Sequence, residues 1–249
     1  MNAICVIPAR YASTRLPGKP LREICGVPMI CRVYERAKLS KSVAEVIVAT
    51  DDERIFTAVE KFSGKAVMTR ADHKTGTDRL AEVAEKFPSV EVIVNVQGDE
   101  PLIDAALIDE LVSEFVGDEN LQMATVAVEL KDAAEIQNPN NVKVVFDKNH
   151  DALYFSRSQI PYPRNSGVAK TFKHIGIYAY RRDFLLAYAK MQPTPLEQAE
   201  SLEQLRALEN GYKIRVIESG CEFVGVDTEE DLARVNEIYR KAGGNYAHV

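Results

Sequence analysis

Four short runs of this chain, residues 3–7, 45–49, 66–68 and 90–96, are apolar at nearly every position rather than at every second one. A strand of that kind has both faces buried, which is the situation inside a parallel sheet covered by helices on each side. The segments between the runs carry the other periodicity. Ile55, Val59 and Phe62 repeat on one helical face, as do Leu80, Val83, Ala84 and Phe87. This alternation predicts an α/β fold with a doubly wound, mostly parallel, Rossmann-like sheet. Leu107, Leu111 and Phe115 mark a further helix, and residues 123–128 a further strand.

The texture changes near residue 131. Asn138-Pro139-Asn140-Asn141 is a turn cluster, and residues 142–146, 152–155 and 172–180 then read as strands with short connections. That pattern predicts a small mixed or antiparallel extension. Helices are expected over 182–191 and 196–209, followed by a last strand over 213–218. Thr228 is a natural N-cap for a final helix, with Glu229, Glu230 and Asp231 favourable in its first turn. Nothing resembles a flexible linker. The expectation is one domain over residues 1–249, made of a nucleotide-binding part (1–130), an extension (131–220) and a return segment with the last helix (221–249).

Charge and composition exclude several classes. Lys and Arg number 31 against 37 Asp and Glu, a net charge of −6, which argues against a broad polyanion surface and so against nucleic acid as a partner. A small basic pocket is still allowed. Cys5, Cys25, Cys31 and Cys221 form no C-x-x-C pair and stand at no zinc-ligand spacing from a His, so free thiols are expected. The chain opens on a strand-like run without a basic leader, and no apolar stretch approaches the roughly 18 residues that span a bilayer. No membrane partner is expected, and the expected compartment is the cytoplasm.

The chemistry concentrates at strand ends. Residues 8–20, after the first buried strand, carry Arg10, Arg15 and Lys19, the hydroxyls of Ser13 and Thr14, and Gly18 between prolines. Open α/β sheets place their ligands at this point, and a polyphosphate needs such cations and backbone donors converging from a loop. Neither a dinucleotide fingerprint nor a P-loop is present: Gly64-Lys65 lacks both the upstream Gly and the hydroxyl. Residues 94–101 close a second buried strand, and Asp99 falls at its carboxyl end. A carboxylate beside polyphosphate calls for a cation between them, and Mg²⁺, held by one or two carboxylates plus phosphate oxygens, is the expected ion. Asp104 is the better candidate for capping the following helix. Asp227, between a strand-like run and a helix start, reads either as a helix-entry residue or, with Asp99, as a second metal ligand.

Several runs resemble those of the 3-deoxy-manno-octulosonate cytidylyltransferase (CMP-Kdo synthetase) family. They are residues 7–21, 69–80, 94–101, 154–157 with Ile160-Pro161, 174–178, 195–206 and 225–232, all in one order. The resemblance implies that CMP from CTP is joined to the sugar acid 3-deoxy-manno-octulosonate (Kdo), with release of pyrophosphate, for lipopolysaccharide biosynthesis. It implies that Arg10, Ser13 and Lys19 hold the CTP phosphates with Arg15 near them, and that Arg70, Thr75, Gly76 and Thr77 border the nucleotide with Arg79 in support. Gln97, Arg157, His174, Tyr178, Glu203 and Gln204 would line the sugar pocket, Arg157 gripping the sugar carboxylate. On residue chemistry alone, His174 reads equally as a core residue and Glu203 as a solvated helix position. Asp99 and Asp227 would hold Mg²⁺, and these with Lys19 and Arg10 form the catalytic set. A homodimer built on the extension is also implied.

Two other readings stay open at this level. A cytidylyltransferase for a related sugar acid, 8-amino-Kdo or a sialic acid, would keep the nucleotide half and change the sugar pocket. A non-catalytic nucleotide-binding module would bind CTP without releasing pyrophosphate.

Overall fold

The computed structural model describes residues 1–13, 15–165, 167–221 and 223–243; Thr14 and the tail after residue 243 lie outside the described residues. The first elements are β1 (Ala3–Ala9), β2 (Glu23–Ile24), β3 (Val27–Pro28), α1 (Met29–Ala37), β4 (Glu45–Thr50) and α2 (Glu53–Lys61). Next come β5 (Ala66–Met68), α3 (Gly76–Glu85), β6 (Val92–Asn95), α4 (Ala105–Ser113), β7 (Met123–Leu130) and α5 (Ala133–Gln137). The chain continues through β8 (Lys143–Phe146), β9 (Ala152–Ser156), β10 (Thr171–Arg181) and α6 (Arg182–Tyr188). It ends with α7 (Pro195–Glu200), α8 (Gln204–Glu209), β11 (Ile214–Ser219) and α9 (Glu229–Lys241).

The described strands form a nine-stranded sheet whose main path runs β11-β7-β10-β6-β1-β4-β5, with β8 and β9 attached beside β10, and a separate β2-β3 hairpin. β1 runs parallel to β4 and β6, β4 to β5, and β11 to β7. Only β10 is reversed on this path, antiparallel to both β6 and β7. The mostly parallel sheet is therefore present, and the β8-β9 hairpin is its antiparallel extension. β10 belongs to the centre of the sheet rather than to a peripheral lobe. Tyr178 pairs with Asn95, the last residue of β6, so the first half of β10 runs past the carboxyl end of β6 and walls the crevice there.

The continuous apolar runs have the burial they imply. Cys5 and Ile7 enter one core cluster and Ile4 and Val6 the other, all at 2% exposure or less. Ile30, Ile55, Val59 and Leu107 cover one face of the sheet, and Leu80, Val83, Leu185 and Leu205 the other. Each such side chain contributes about 1.5–3 kcal/mol on full burial. A third cluster, with Leu16, Ile24, Met29, Val226, Leu232 and Val235, packs the first loop and the β2-β3 hairpin against α9.

Thr228 caps α9 in a reciprocal pair with Asp231, and Asp104 caps α4, as expected. The helix expected over 196–209 is broken. α7 begins on a Thr194–Glu197 capping box and ends at Ser201, whose left-handed φ of 51° stops it before α8 starts. The break sets Glu203 at the start of α8. Among the described residues no helix is long and apolar enough to cross a membrane.

Candidate active site

The carboxyl ends of β1 and β6 are adjacent, with Val6 opposite Asn95, so the loops that follow share one crevice. In the first loop, Leu16 is fully buried in the third cluster. Gly18 then adopts a φ of 66°, a conformation glycine takes without strain, and turns the chain into a single 3-10 turn, Lys19–Leu21. This aims Lys19 into the crevice. After β6, Gly98 passes so close to β1 that an added Cβ would stand 3.0 Å from the Pro8 carbonyl oxygen. The Val226 amide donates to the Asp99 carbonyl at 2.9 Å, which brings the entry to α9 alongside this loop.

Asp99 and Asp227 consequently reach the same point. Lys19 Nζ donates to Asp99 Oδ2 at 2.6 Å and to Asp227 Oδ1 at 2.9 Å, and Arg15 pairs with Asp227 Oδ2 at 3.1 Å. Burial would pull the Lys19 ammonium down, but the Asp99 and Asp227 carboxylates outweigh it and raise its pKa. Glu100, against Gly225, is pushed up to about 8 by burial and then by Asp99. Lys19, Arg15, Asp99 and Asp227 line a cleft of about 360 Å³ with Arg10, Ser13, Gln97 and Gly98. Ser13 Oγ also accepts the Leu16 amide at 3.3 Å, which closes the loop on itself. The donor set suits a hard cation. Among the described residues no three His, Cys, Asp or Glu converge as a metal cage, whereas two carboxylates aimed at one point fit an ion that completes its shell with water and phosphate oxygens.

A second cavity, about 240 Å³, adjoins this cleft and shares Gln97 with it. Its wall includes Gly76, Thr77, Tyr178, Glu203 and Gln204. Gln97 is held in place by donating Nε2 to the Gly176 carbonyl at 3.0 Å, where the β10 register shifts. Thr77 Oγ1 donates to Glu203 Oε2 at 3.0 Å, which joins the start of α3 to the start of α8. Burial raises the Glu203 carboxyl above its ordinary value, although the Thr77 hydrogen bond opposes this. Asn95 and Gln204 are almost fully buried here, and Asn95 Oδ1 and Gln204 Nε2 have no hydrogen-bond partner among the described residues. An unmet buried polar atom costs about 1–3 kcal/mol. A larger cleft, about 750 Å³ along β7, β10 and β11, gathers none of the expected site residues.

The same arrangement has relatives. A sequence profile described as cytidylyltransferase matches residues 4–214. The 3-deoxy-manno-octulosonate cytidylyltransferase of Fusobacterium nucleatum is 56% identical over 235 residues, covering 94% of this chain and 96% of the relative. The chain belongs to this cytidylyltransferase family. The Geobacter metallireducens member is 54% identical over 248 residues, covering 95% of this chain and 97% of its own. A solved CMP:2-keto-3-deoxy-manno-octonic acid synthetase, complexed with CTP, superposes with a TM-score of 0.93 at 50% identity and covers 97% of this chain and 100% of its own.

Of the residues that family resemblance singles out, Arg10, Ser13, Lys19, Gln97, Asp99 and Asp227 line the first cleft. Gly76, Thr77, Tyr178, Glu203 and Gln204 line the second. Thr75 caps α3 between the two groups, and Arg70 stands exposed, paired with Asp72 at 3.3 Å. Arg79 is fully buried and pairs with Asp51 at 3.2 Å, so it acts behind the site.

Two family expectations meet a different geometry. Arg157 lines neither cavity. Its guanidinium donates to the carbonyls of Glu200 (2.7 Å), Pro139 (3.2 Å) and Ser201 (3.4 Å), which makes it a clamp on the α7-α8 turn. His174 also lies behind the wall: Nε2 is 3.0 Å from Thr125 Oγ1, and its ring packs between Phe155 and Tyr178. Burial drives its pKa down to about 3, so it is neutral.

Asn95, Met123, Tyr180 and Tyr188 line the second cavity without having been singled out in the sequence. The available signal was Asn95, a polar residue closing an otherwise apolar strand.

Proposed function

We propose that this chain transfers CMP from CTP to Kdo, giving CMP-Kdo and pyrophosphate. The observation that carries the proposal is the shared Gln97 wall. A cationic cleft with two converging carboxylates shares Gln97 with a second cavity, lined by Thr77, Glu203, Gln204, Tyr178, Tyr180 and Tyr188. The first suits a triphosphate and the second a polyhydroxylated acid. The 50% identical solved relative is a CMP-Kdo synthetase complexed with CTP.

Arg10, Ser13, Arg15 and Lys19 bind the triphosphate, and Gln97, Tyr178, Glu203 and Gln204 bind the sugar. The anomeric oxygen of Kdo forms a bond to the α-phosphorus as the α–β phosphoanhydride breaks. The hydroxyl proton passes to solvent, and pyrophosphate leaves toward Arg10 and Lys19. No side chain forms a covalent intermediate. Catalysis is alignment plus charge neutralisation. We assign Mg²⁺ to Asp99 and Asp227; when bound it supplies positive charge to the triphosphate and to the attacking oxygen.

The proposal extends to a cytoplasmic enzyme acting in lipopolysaccharide biosynthesis as a homodimer. Exposed Leu153, Tyr162 and Val168 on the 131–220 segment support self-association there, and light scattering of the purified chain tests it. The substrate is tested by supplying CTP, Mg²⁺ and either Kdo, 8-amino-Kdo or a sialic acid, and following the CMP-sugar by mass spectrometry. Kdo should give the highest kcat/KM. A preference for either of the others would move the assignment to that sugar acid.

A further inference from the structure

His73 lies in the 69–80 run, but its ring is absent from the lining of both cavities and is almost fully buried. Its Nε2 stands 2.5 Å from Glu82 Oε2 on α3, and the same oxygen accepts the Arg70 amide at 3.0 Å. Burial alone would raise the Glu82 carboxyl, but the Arg70 amide and the His73 ring outweigh it and hold it below its ordinary value. One turn earlier on α3, Asp78 Oδ2 accepts the amides of Lys74 (3.2 Å) and Thr75 (3.1 Å) at the cap of the same helix. One helix thus holds the 70–75 segment twice, at the Arg70 amide and His73 ring through Glu82 and at the Lys74 and Thr75 amides through Asp78.

The carbonyls of that gripped backbone hold a cation of the first cleft. Arg10 NH2 donates to His73 O at 2.6 Å and to Thr75 O at 3.3 Å. Its Nε and NH1 make no hydrogen bond among the described residues. A guanidinium is a rigid planar fork, so fixing one edge fixes the direction of the remaining donors. A long side chain already held in its binding geometry also loses less freedom when an anion arrives.

We infer that His73 and Glu82 are positioning residues for Arg10, acting through the His73 and Thr75 carbonyls to aim its free edge at a phosphate of the nucleotide. The inference rests on Arg10 serving the triphosphate. His73 and Glu82 touch no substrate, and their contribution is confined to the nucleotide half of the reaction.

The test is a double-mutant cycle on the intact chain, with Arg10→Ala, Glu82→Ala and the pair, read as KM for CTP, KM for Kdo and Tm. In the wild-type background Glu82→Ala should raise KM for CTP about tenfold and leave KM for Kdo unchanged. In the Arg10→Ala background the same substitution should change KM for CTP less than about twofold, because no cation is left to aim. Glu82→Gln, which keeps an acceptor for the Arg70 amide and the His73 ring, should recover most of the loss. If Glu82→Ala fails to fold, His73→Asn, too short to reach Glu82, takes its place in the cycle. Equal effects in both backgrounds, or no effect in either, would overturn the positioning role. An Arg10→Ala variant with unchanged KM for CTP would instead overturn the triphosphate reading on which the inference rests.

Discussion

Lys19 Nζ lies 2.6 Å from Asp99 Oδ2, at a point that Asp227 Oδ1 also reaches at 2.9 Å. One ammonium therefore holds two carboxylates together at the mouth of the cleft. Phosphate oxygens and a divalent ion would compete for these same partners. Lys19→Met should accordingly have two opposite effects. Turnover should fall by about 10²–10³, as when a charge-stabilising donor is removed. Binding of Mn²⁺ in the absence of nucleotide should tighten, because the carboxylates lose their internal cation. Mn²⁺ titration followed by electron paramagnetic resonance checks this, and weaker Mn²⁺ binding would contradict it.

Arg157 hydrogen-bonds to the Glu200 and Ser201 carbonyls at the α7-α8 turn and to the Pro139 carbonyl ahead of β8, next to the segment that presents Glu203 and Gln204. Arg157→Lys keeps the charge and loses the planar fork. Its Tm should fall by roughly 4 °C, and KM for Kdo should rise along with it. A rise in KM for Kdo with an unchanged Tm would instead indicate direct contact with the sugar carboxylate.

His174 gives a pH signature of known sign. Burial depresses its pKa from 6.5 to about 3, so the folded state binds fewer protons than the unfolded state between these values. Its contribution to stability is complete above pH 6.5 and is lost as pH falls toward 3. Between pH 6.5 and about pH 5 the loss amounts to about 2 kcal/mol. Denaturant melts of His174→Gln should show a shallower decline in that interval than those of the wild type. Identical slopes would mean that His174 is solvated.

What was legible in the sequence depended on whether a residue's environment follows from its neighbours along the chain. β1, β4 and β6 were readable because both faces of each are buried and nearly every position is apolar. Lys19 and Asp99 were readable because each follows a buried strand, and Asp227 because it stands just before the start of α9. α1 escaped notice because its buried side includes Arg32 and Arg36, whose Nε atoms donate to the carbonyls of Ile24 (3.2 Å) and Ile103 (2.9 Å). The break at Ser201 was hidden because a serine in the left-handed region has no local mark. Tyr180 and Tyr188 fell within an expected strand and an expected helix without any local mark, and only the pairing of β10 with β6 brings Tyr180 to the second cavity.

Gly98 allows close approach of the loop after β6 to β1. An alanine there would put its Cβ 3.0 Å from the Pro8 carbonyl oxygen and 3.3 Å from Ile30 Cδ1. Gly98→Ala should cost about 1–3 kcal/mol of stability and displace Asp99. Thermal melts should show a lower Tm, and turnover should fall further than the melts alone would explain. A variant with wild-type stability and turnover would mean that the loop has room to shift.

We place CMP transfer from CTP to Kdo at the Asp99–Asp227 pair. Steady-state pyrophosphate release by the wild type and by Asp99→Asn, with and without Mg²⁺, tests it most directly. The wild type should release pyrophosphate only when CTP, Kdo and Mg²⁺ are all present. A folded Asp99→Asn should be slower by about 10³ or more. Pyrophosphate release without Kdo, or an Asp99→Asn variant that turns over at the wild-type rate, would contradict it.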